Sequence, residues 1–179
     1  MSVRLSVVPL EDRATPATFT VNALTDTGAG SGNAGDLRYC LNQANANPGD
    51  DTIVFDEAVF ATPQTIALSG TQLSITDTAG KTTITGPTKG VTVSGNNASR
   101  VFLITAASDI SGLTITGGLA AFAAGVLNDG TLNLTNCTIT GNVADNLGGG
   151  FANYATATLT NCTISGNSAG AGGGINNAG

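Results

Sequence analysis

Leu134-Thr135-Asn136-Cys137-Thr138-Ile139-Thr140-Gly141-Asn142 returns 25 positions later as Leu159-Thr160-Asn161-Cys162-Thr163-Ile164-Ser165-Gly166-Asn167, with one Thr replaced by Ser. A weaker copy, Gly112-Leu-Thr-Ile-Thr-Gly-Gly118, lies about 24 residues upstream. A second landmark repeats beside the first: Gly125-Val-Leu-Asn128, Gly150-Phe-Ala-Asn153 and Gly174-Ile-Asn-Asn177, spaced by 25 and then 24. A fixed period of this size is the mark of a solenoid and takes precedence over local guesses about fold.

Within each copy the apolar residues alternate with Thr or Ser, as in Cys137-Thr-Ile-Thr, and Gly or Asn punctuates the runs. Two-residue alternation means strands, and Gly and Asn mean tight turns. Helical and leucine-rich repeats need patterns that are missing. Three short sides and their turns use roughly 24 residues at about 3.3 Å each, and successive coils stack about 4.8 Å apart. The expected fold is therefore all-β: a right-handed parallel β-helix of about 24–25 residues per coil.

The columns of its interior can be written down. Val126, Phe151 and Ile175 should form one, Leu134 and Leu159 a second, Cys137 and Cys162 a third, and Ile115, Ile139 and Ile164 a fourth. Asn136 over Asn161, and Asn142 over Asn167, are expected to form turn ladders of stacked amides. The rival reading is N-glycosylation, because Asn133, Asn136 and Asn161 each begin an Asn-x-Thr triplet. Cys137 and Cys162 are read as small apolar core residues. A disulfide between them is the alternative, although parallel side chains make its dihedral awkward. Three cysteines do not make a disulfide framework, and without His a mixed zinc site is excluded.

Residues 61–179 carry the coils, roughly five of them, and residues 19–60 do not repeat. Phe19–Leu24 reads as a strand, Asp36–Ala46 as a helix with Asp36 as N-cap, and Thr52–Phe55 as a second strand. Leu37, Cys40, Leu41 and Ala44 make an apolar stripe at helical spacing. Such a strand–helix–strand unit would cap the open end of the solenoid, where core and backbone edges would otherwise be bare. Arg38 is expected to be structurally important, pairing with a carboxylate or with strand carbonyls. Residues 1–18 read as an N-terminal leader open to disorder. The run Met1–Pro9 is too short an apolar stretch for a secretory signal, so export by another route or a start further upstream is expected.

Leu10-Glu-Asp-Arg-Ala-Thr-Pro-Ala17, Phe19-Thr-Val, Gly35-Asp-Leu-Arg38, Ala44-Asn45 and Gly49-Asp-Asp-Thr-Ile-Val-Phe55 together resemble the N-terminal region of large extracellular β-helix proteins of planctomycete-type bacteria. Gly172-Gly-Gly-Ile-Asn-Asn177 and Asn161–Asn167 are similar to coils of chlamydial polymorphic outer-membrane proteins. The resemblance implies a bacterial protein outside the cell or on its surface. Two departures stand out. The family's Ala-Ile after the Arg is Tyr39-Cys40-Leu41 here, and its members run for many coils whereas this sequence stops at Gly179. The chain is accordingly expected to be truncated at its C-terminus.

Composition narrows function. With 12 acidic and 6 basic residues the net charge is −6, and the basic residues form no cluster, so no nucleic acid is expected as partner. No stretch is long enough for membrane insertion. Polysaccharide lyases and hydrolases share this fold, so an enzyme is the natural rival, but a site must be found. From residue 110 onward the charged residues are Asp129 and Asp145 alone. They fall in different turns and do not make the converging carboxylates of a glycosidase. Asp50, Asp51, Asp56 and Glu57 are a turn and strand end, with a calcium site as alternative. No catalytic residue, cofactor site or metal site is assigned. The expected function is a non-catalytic structural or adhesive scaffold that binds carbohydrate or self-associates through an uncapped last coil. The runner-up is the N-terminal part of a polysaccharide-active enzyme.

Overall fold

The computed structural model describes residues 15–179. The leader reading for residues 1–14, and most of the Leu10–Ala17 motif, lie outside these residues. The chain is a parallel β-solenoid of about five coils with one short helix. In order, β1 (Thr18–Val21), β2 (Gly30–Ser31), β3 (Ala34–Gly35) and helix α1 (Leu37–Ala46) come first. The first coil is β4 (Asp51–Phe55), β5 (Gln64–Ala67) and β6 (Leu73–Ile75). The second is β7 (Thr82–Thr85), β8 (Val91–Ser94) and β9 (Phe102–Ile104). The third is β10 (Ser108–Ser111), β11 (Leu113–Thr116), β12 (Leu119–Phe122) and β13 (Val126–Asn128). The fourth is β14 (Thr131–Thr135), β15 (Thr138–Thr140), β16 (Val143–Leu147) and β17 (Phe151–Asn153). The fifth is β18 (Thr156–Thr160), β19 (Thr163–Ser165) and β20 (Ile175–Asn177).

Three sheets run the length of the solenoid. Sheet A has the order β18-β14-β10-β7-β4-β1-β3-β2, sheet B the order β19-β15-β11-β8-β5, and sheet C the order β20-β17-β13-β9-β6. Every pairing among the coils is parallel. Because β-strand side chains alternate between faces, in-register stacking turns each inward position into a column. In sheet A that column is Phe19, Ile53, Ile84, Ile110, Leu134 and Leu159. In sheet B it is Ile66, Val93, Ile115, Ile139 and Ile164. In sheet C it is Leu73, Phe102, Val126, Phe151 and Ile175. The predicted columns are thus in register, and they extend further toward the N-terminus than the repeat reveals. The step from Ile53 to its partner Ile84 is the longest in the sheet A column of the coils, and the step from Ile84 to Ile110 is shorter. The early coils drift off the later period because their turns are longer.

The segment 19–60 is joined to the solenoid itself. β1 and β4 pair in parallel as consecutive strands of sheet A, with α1 crossing between them. The glycine-rich stretch before α1 holds a small antiparallel pair, β2–β3, of which β3 continues sheet A beside β1. A Cβ on Gly30 or Gly35 would collide with the Tyr39 ring, so only glycine lets that ring lie across the hairpin. The Tyr39 hydroxyl donates to the Gly32 carbonyl at 3.0 Å. Helix α1 packs against β1, β3, β4 and β6. Its stripe Leu37, Cys40, Leu41 and Ala44 is buried and belongs to the same apolar cluster as the interior columns. The helix therefore closes the N-terminal end of the core.

β12 and β16 form a separate two-stranded parallel sheet, extended by bridges from Val143 to Ser168 and from Leu147 to Ala171. This fourth side projects between sheets B and C in the last three coils and leaves Leu119, Phe122 and Val143 exposed.

Candidate functional site

The side chains singled out by the sequence divide into buried ladders, turn positions and one ion pair. Asn142 is fully buried. Its Nδ2 donates to Asn167 Oδ1 at 2.9 Å and to the carbonyls of Ile115 and Thr140 at 3.1 Å. Its Oδ1 accepts the Gly118 N–H at 2.8 Å. Asn167 in turn donates to the Ile139 carbonyl at 2.9 Å. This is a continuous amide ladder between coils, with the satisfied donors and acceptors that burial demands.

Asn136 and Asn161 do something different. They have φ of 55° and 53°, in register with Gly112 at 70°. The site is a left-handed turn that Gly fills without cost and Asn fills better than other side chains. Both are exposed, and among the described hydrogen bonds none joins the two side chains. Their recurrence reflects backbone conformation rather than amide stacking.

A second ladder goes beyond the sequence reading. Asn128 Nδ2 donates to Asn153 Oδ1 at 2.7 Å, and Asn153 Nδ2 donates to Asn177 Oδ1 at 2.8 Å. Its signal lies in the regular spacing of the Gly-x-x-Asn landmarks, whose apolar members mark the interior column and whose Asn members mark the ladder.

Cys137 is buried and Cys162 is partly exposed, and both are free thiols. The Thr163 N–H donates to the Cys137 carbonyl at 2.9 Å, so the two lie on adjacent coils. Each Sγ approaches a carbonyl one coil away, Cys137 that of Ile110 at 3.6 Å and Cys162 that of Leu134 at 3.4 Å. They follow Leu113 in position, just before the paired Thr114, Thr138 and Thr163. Burial raises the Cys137 thiol pKa, and burial pushes Cys40 up to about 11. Ile139 is fully buried and Ile164 is partly exposed.

Arg38 meets Asp26 side-on: Nε to Oδ1 and Nη2 to Oδ2, both at 2.9 Å. Its other donors reach the Gln72 carbonyl at 2.9 Å and the Thr71 carbonyl at 2.7 Å. Asp26, with its side chain 1% exposed, also accepts from the Ser69 N–H at 2.7 Å and the Ser69 hydroxyl at 2.9 Å. The pair ties the cap helix to the turn before β6. Next to it, Asp36 caps α1 by accepting the Tyr39 N–H at 2.8 Å, and its other oxygen accepts the Thr27 N–H at 2.8 Å and the Ala29 N–H at 3.2 Å. Burial alone would raise its pKa. The donors from Tyr39, Thr27 and Ala29 outweigh burial and hold it below the ordinary value.

The acidic residues 50–57 do not converge. Asp50 accepts the Lys81 N–H at 2.9 Å, and Asp51 points inward and accepts from Ala17 N–H and Asn47 Nδ2 at 2.8 Å. Asp56 caps the turn at Ala58, and Glu57 accepts from the Thr88 hydroxyl at 3.1 Å. Among the described residues no group of three or more His, Cys, Asp or Glu could hold a metal ion, and no helix is long and apolar enough to cross a membrane.

The repeated surfaces are the outer faces of the sheets. On sheet B, Thr65, Thr92, Thr114, Thr138 and Thr163 form one unbroken column, and Ala67, Ser94, Thr116, Thr140 and Ser165 form the next. Adjacent coils put these hydroxyls about 4.8 Å apart, and the two columns stand about 6.6 Å apart along the strands. β-Branching restricts χ1 and so fixes the directions of most of the hydroxyls and methyls. The face carries no charge. Sheet A differs: its outer column is Thr52, Thr83, Asp109, Asn133 and Thr158. Lys81 Nζ lies 2.6 Å from Asp109 Oδ2, and Asn133 Nδ2 donates to Asp109 Oδ1 at 2.8 Å. On sheet C the outer column includes Leu103 and Leu127, while Ala152, next in register, is fully buried.

No protein-family model, curated protein or solved structure matches the chain.

Proposed function

We propose that this chain is a non-catalytic, rigid scaffold of the bacterial cell exterior that adheres to an uncharged polysaccharide through the outer face of sheet B. The observation that carries the reading is the in-register Thr column over five coils with the Ser/Thr column beside it. A polymer that repeats hydroxyls along its length meets a surface that repeats hydroxyls and methyls along its own. Interactions that are weak singly add when many are made on one rigid support. The ladders and interior columns supply that rigidity. The absence of charge on the face favours a neutral glycan over an acidic one. The exterior location is supported by the resemblance to planctomycete-type surface proteins. The scaffold reading is further supported by the structural engagement of the carboxylates: Asp26 holds Arg38, Asp36 caps a helix, Asp109 pairs with Lys81, and Glu57 accepts from Thr88.

Sedimentation with insoluble cellulose and chitin, and with polygalacturonate gel as the acidic comparison, tests it. The chain should be depleted from solution by a neutral polymer, and Thr138→Lys should reduce that depletion at least fivefold while leaving the far-ultraviolet spectrum intact. Equal binding by the variant, or release of new reducing or unsaturated sugar ends during incubation, would overturn the scaffold reading.

A further inference from the structure

The hydroxyls on the outer face of sheet B are scarcely used by the protein itself. Among the described hydrogen bonds, none engages the side chains of Thr92, Thr114, Thr116, Thr138 or Thr140, and Ser94 Oγ accepts one, from the Asn96 N–H at 3.1 Å. Sheet A is different, for Ser111 donates to the Ile84 carbonyl at 3.4 Å and Asp109 holds Lys81 and Asn133. The second column of sheet B also has a common direction. A Cβ on Gly117, Gly141 or Gly166 would stand 2.7, 3.0 or 3.4 Å from Ser94 Oγ, Thr116 Oγ1 or Thr140 Oγ1 of the coil before. Each of these hydroxyls leans toward the glycine of the following coil. That glycine, at a φ of 58°, 65° or 62°, has no side chain to cover it.

Regular hydroxyls on a rigid support match a ligand whose oxygens are regular too. Tetrahedral hydrogen bonds of about 2.75 Å in ice place second-neighbour oxygens about 4.5 Å apart, and on its prism faces the layers repeat about every 7.3 Å. The face of sheet B offers about 4.8 Å between coils and about 6.6 Å between columns. Along the solenoid axis the difference of about 0.3 Å accumulates to about 1.2 Å from the first coil to the fifth, roughly a quarter of one repeat. No row therefore falls midway between ice oxygens. Across the strands the difference of about 0.7 Å occurs only once, since the columns are two. Side-chain ladders help to keep a sheet flat, and the Asn142–Asn167 ladder stands one residue beyond Gly141 and Gly166.

We propose that the outer face of sheet B binds ice through a prism face of the crystal. Ice binding goes beyond polysaccharide adhesion and does not rest on it, since the ligand is crystalline water alone. The other faces lack the array. Asp109 and Lys81 interrupt sheet A with charge, and Leu103 and Leu127 face outward on sheet C.

Nanolitre osmometry on the full 179-residue chain in dilute buffer, with no polysaccharide present, tests the proposal. Ice in the solution should grow with facets, and its growth temperature should fall below its melting temperature by a gap that widens with protein concentration. Thr114→Lys, at the middle of the first column, should shrink that gap at least fivefold. Thr85→Lys, exposed on sheet A, should leave it unchanged. If Thr114→Lys loses its β spectrum, Thr140→Lys in the second column takes its place. Rounded crystals that melt and grow at one temperature overturn the proposal. So does a gap that the sheet B variant leaves intact, or one that Thr85→Lys shrinks equally. Any of these results alongside intact depletion by cellulose or chitin refutes ice binding and leaves adhesion standing.

Discussion

Replacing Asn142 by Ala removes a side chain that is fully buried and makes four hydrogen bonds. The methyl group that remains can replace none of them. The Gly118 N–H, buried beside it, loses its acceptor, and an orphaned buried donor costs about 1–3 kcal/mol. The bonds to the Ile115 carbonyl and to Asn167 Oδ1 are lost as well, each worth about 0.5–1.5 kcal/mol net. Asn167 Oδ1 keeps the Asn142 N–H at 3.0 Å, which moderates the loss. Together these give about 3 kcal/mol of destabilisation, or about 6–12 °C in Tm for a domain of this size. Asn136→Ala is the comparison. That residue repeats with the same period, but it is an exposed left-handed turn position, and its replacement costs only about 1 kcal/mol of backbone preference. Asn136→Gly should cost less still. Urea titrations followed by circular dichroism separate the two classes. If Asn142→Ala costs less than even one ordinary hydrogen bond, or no more than Asn136→Ala, the ladder does not carry the energy assigned to it here.

Arg38→Met leaves Asp26 buried without its cation, which costs about 3 kcal/mol even with both Ser69 donors retained; limited proteolysis should then cut first within residues 22–35, and unchanged cleavage would count against the pair as the clamp of the cap. Asp36, whose pKa is lowered on folding, stabilises the chain fully above its unfolded value of about 3.9. That contribution is lost as pH falls through the lower folded value, so Asp36→Asn should flatten the fall of the urea midpoint between pH 5 and pH 2. Parallel curves for parent and variant would show that the cap carboxylate is not linked to folding.

The coils of residues 108–179 are legible in the sequence because their turns are short and their Asn and Gly recur on a strict period. The first two coils are not, because the interval from Ile53 to Ile84 exceeds that period and no Asn-Gly signature marks it. Only the alternation inside β4 and β7 survives there, and alternation fixes a strand without fixing its neighbours. Period alone also cannot distinguish Asn142 from Asn136. One amide points inward to backbone carbonyls and the other occupies a turn, and both recur once per coil. Asp26 is hidden because its partner Arg38 lies across a loop that no repeat describes. The lateral sheet of β12 and β16 escapes because its large apolar residues, Leu119, Phe122 and Val143, face outward, so no interior column marks it.

The in-register stacking also governs how this chain finds its structure. Each residue of a coil meets its partner at a sequence distance of one coil, and that distance does not grow as the solenoid lengthens. The loop entropy of adding a coil is therefore nearly constant from coil to coil. The step that differs is the first, where Phe19 and Ile53 must come together across the whole cap with α1 folded between them. Once that closure exists, every later coil has a template and repays its own ordering. The shorter steps of the later coils can close at lower entropic cost than the cap, so ordering can start among them and spread toward either end, as each coil contacts only its neighbours.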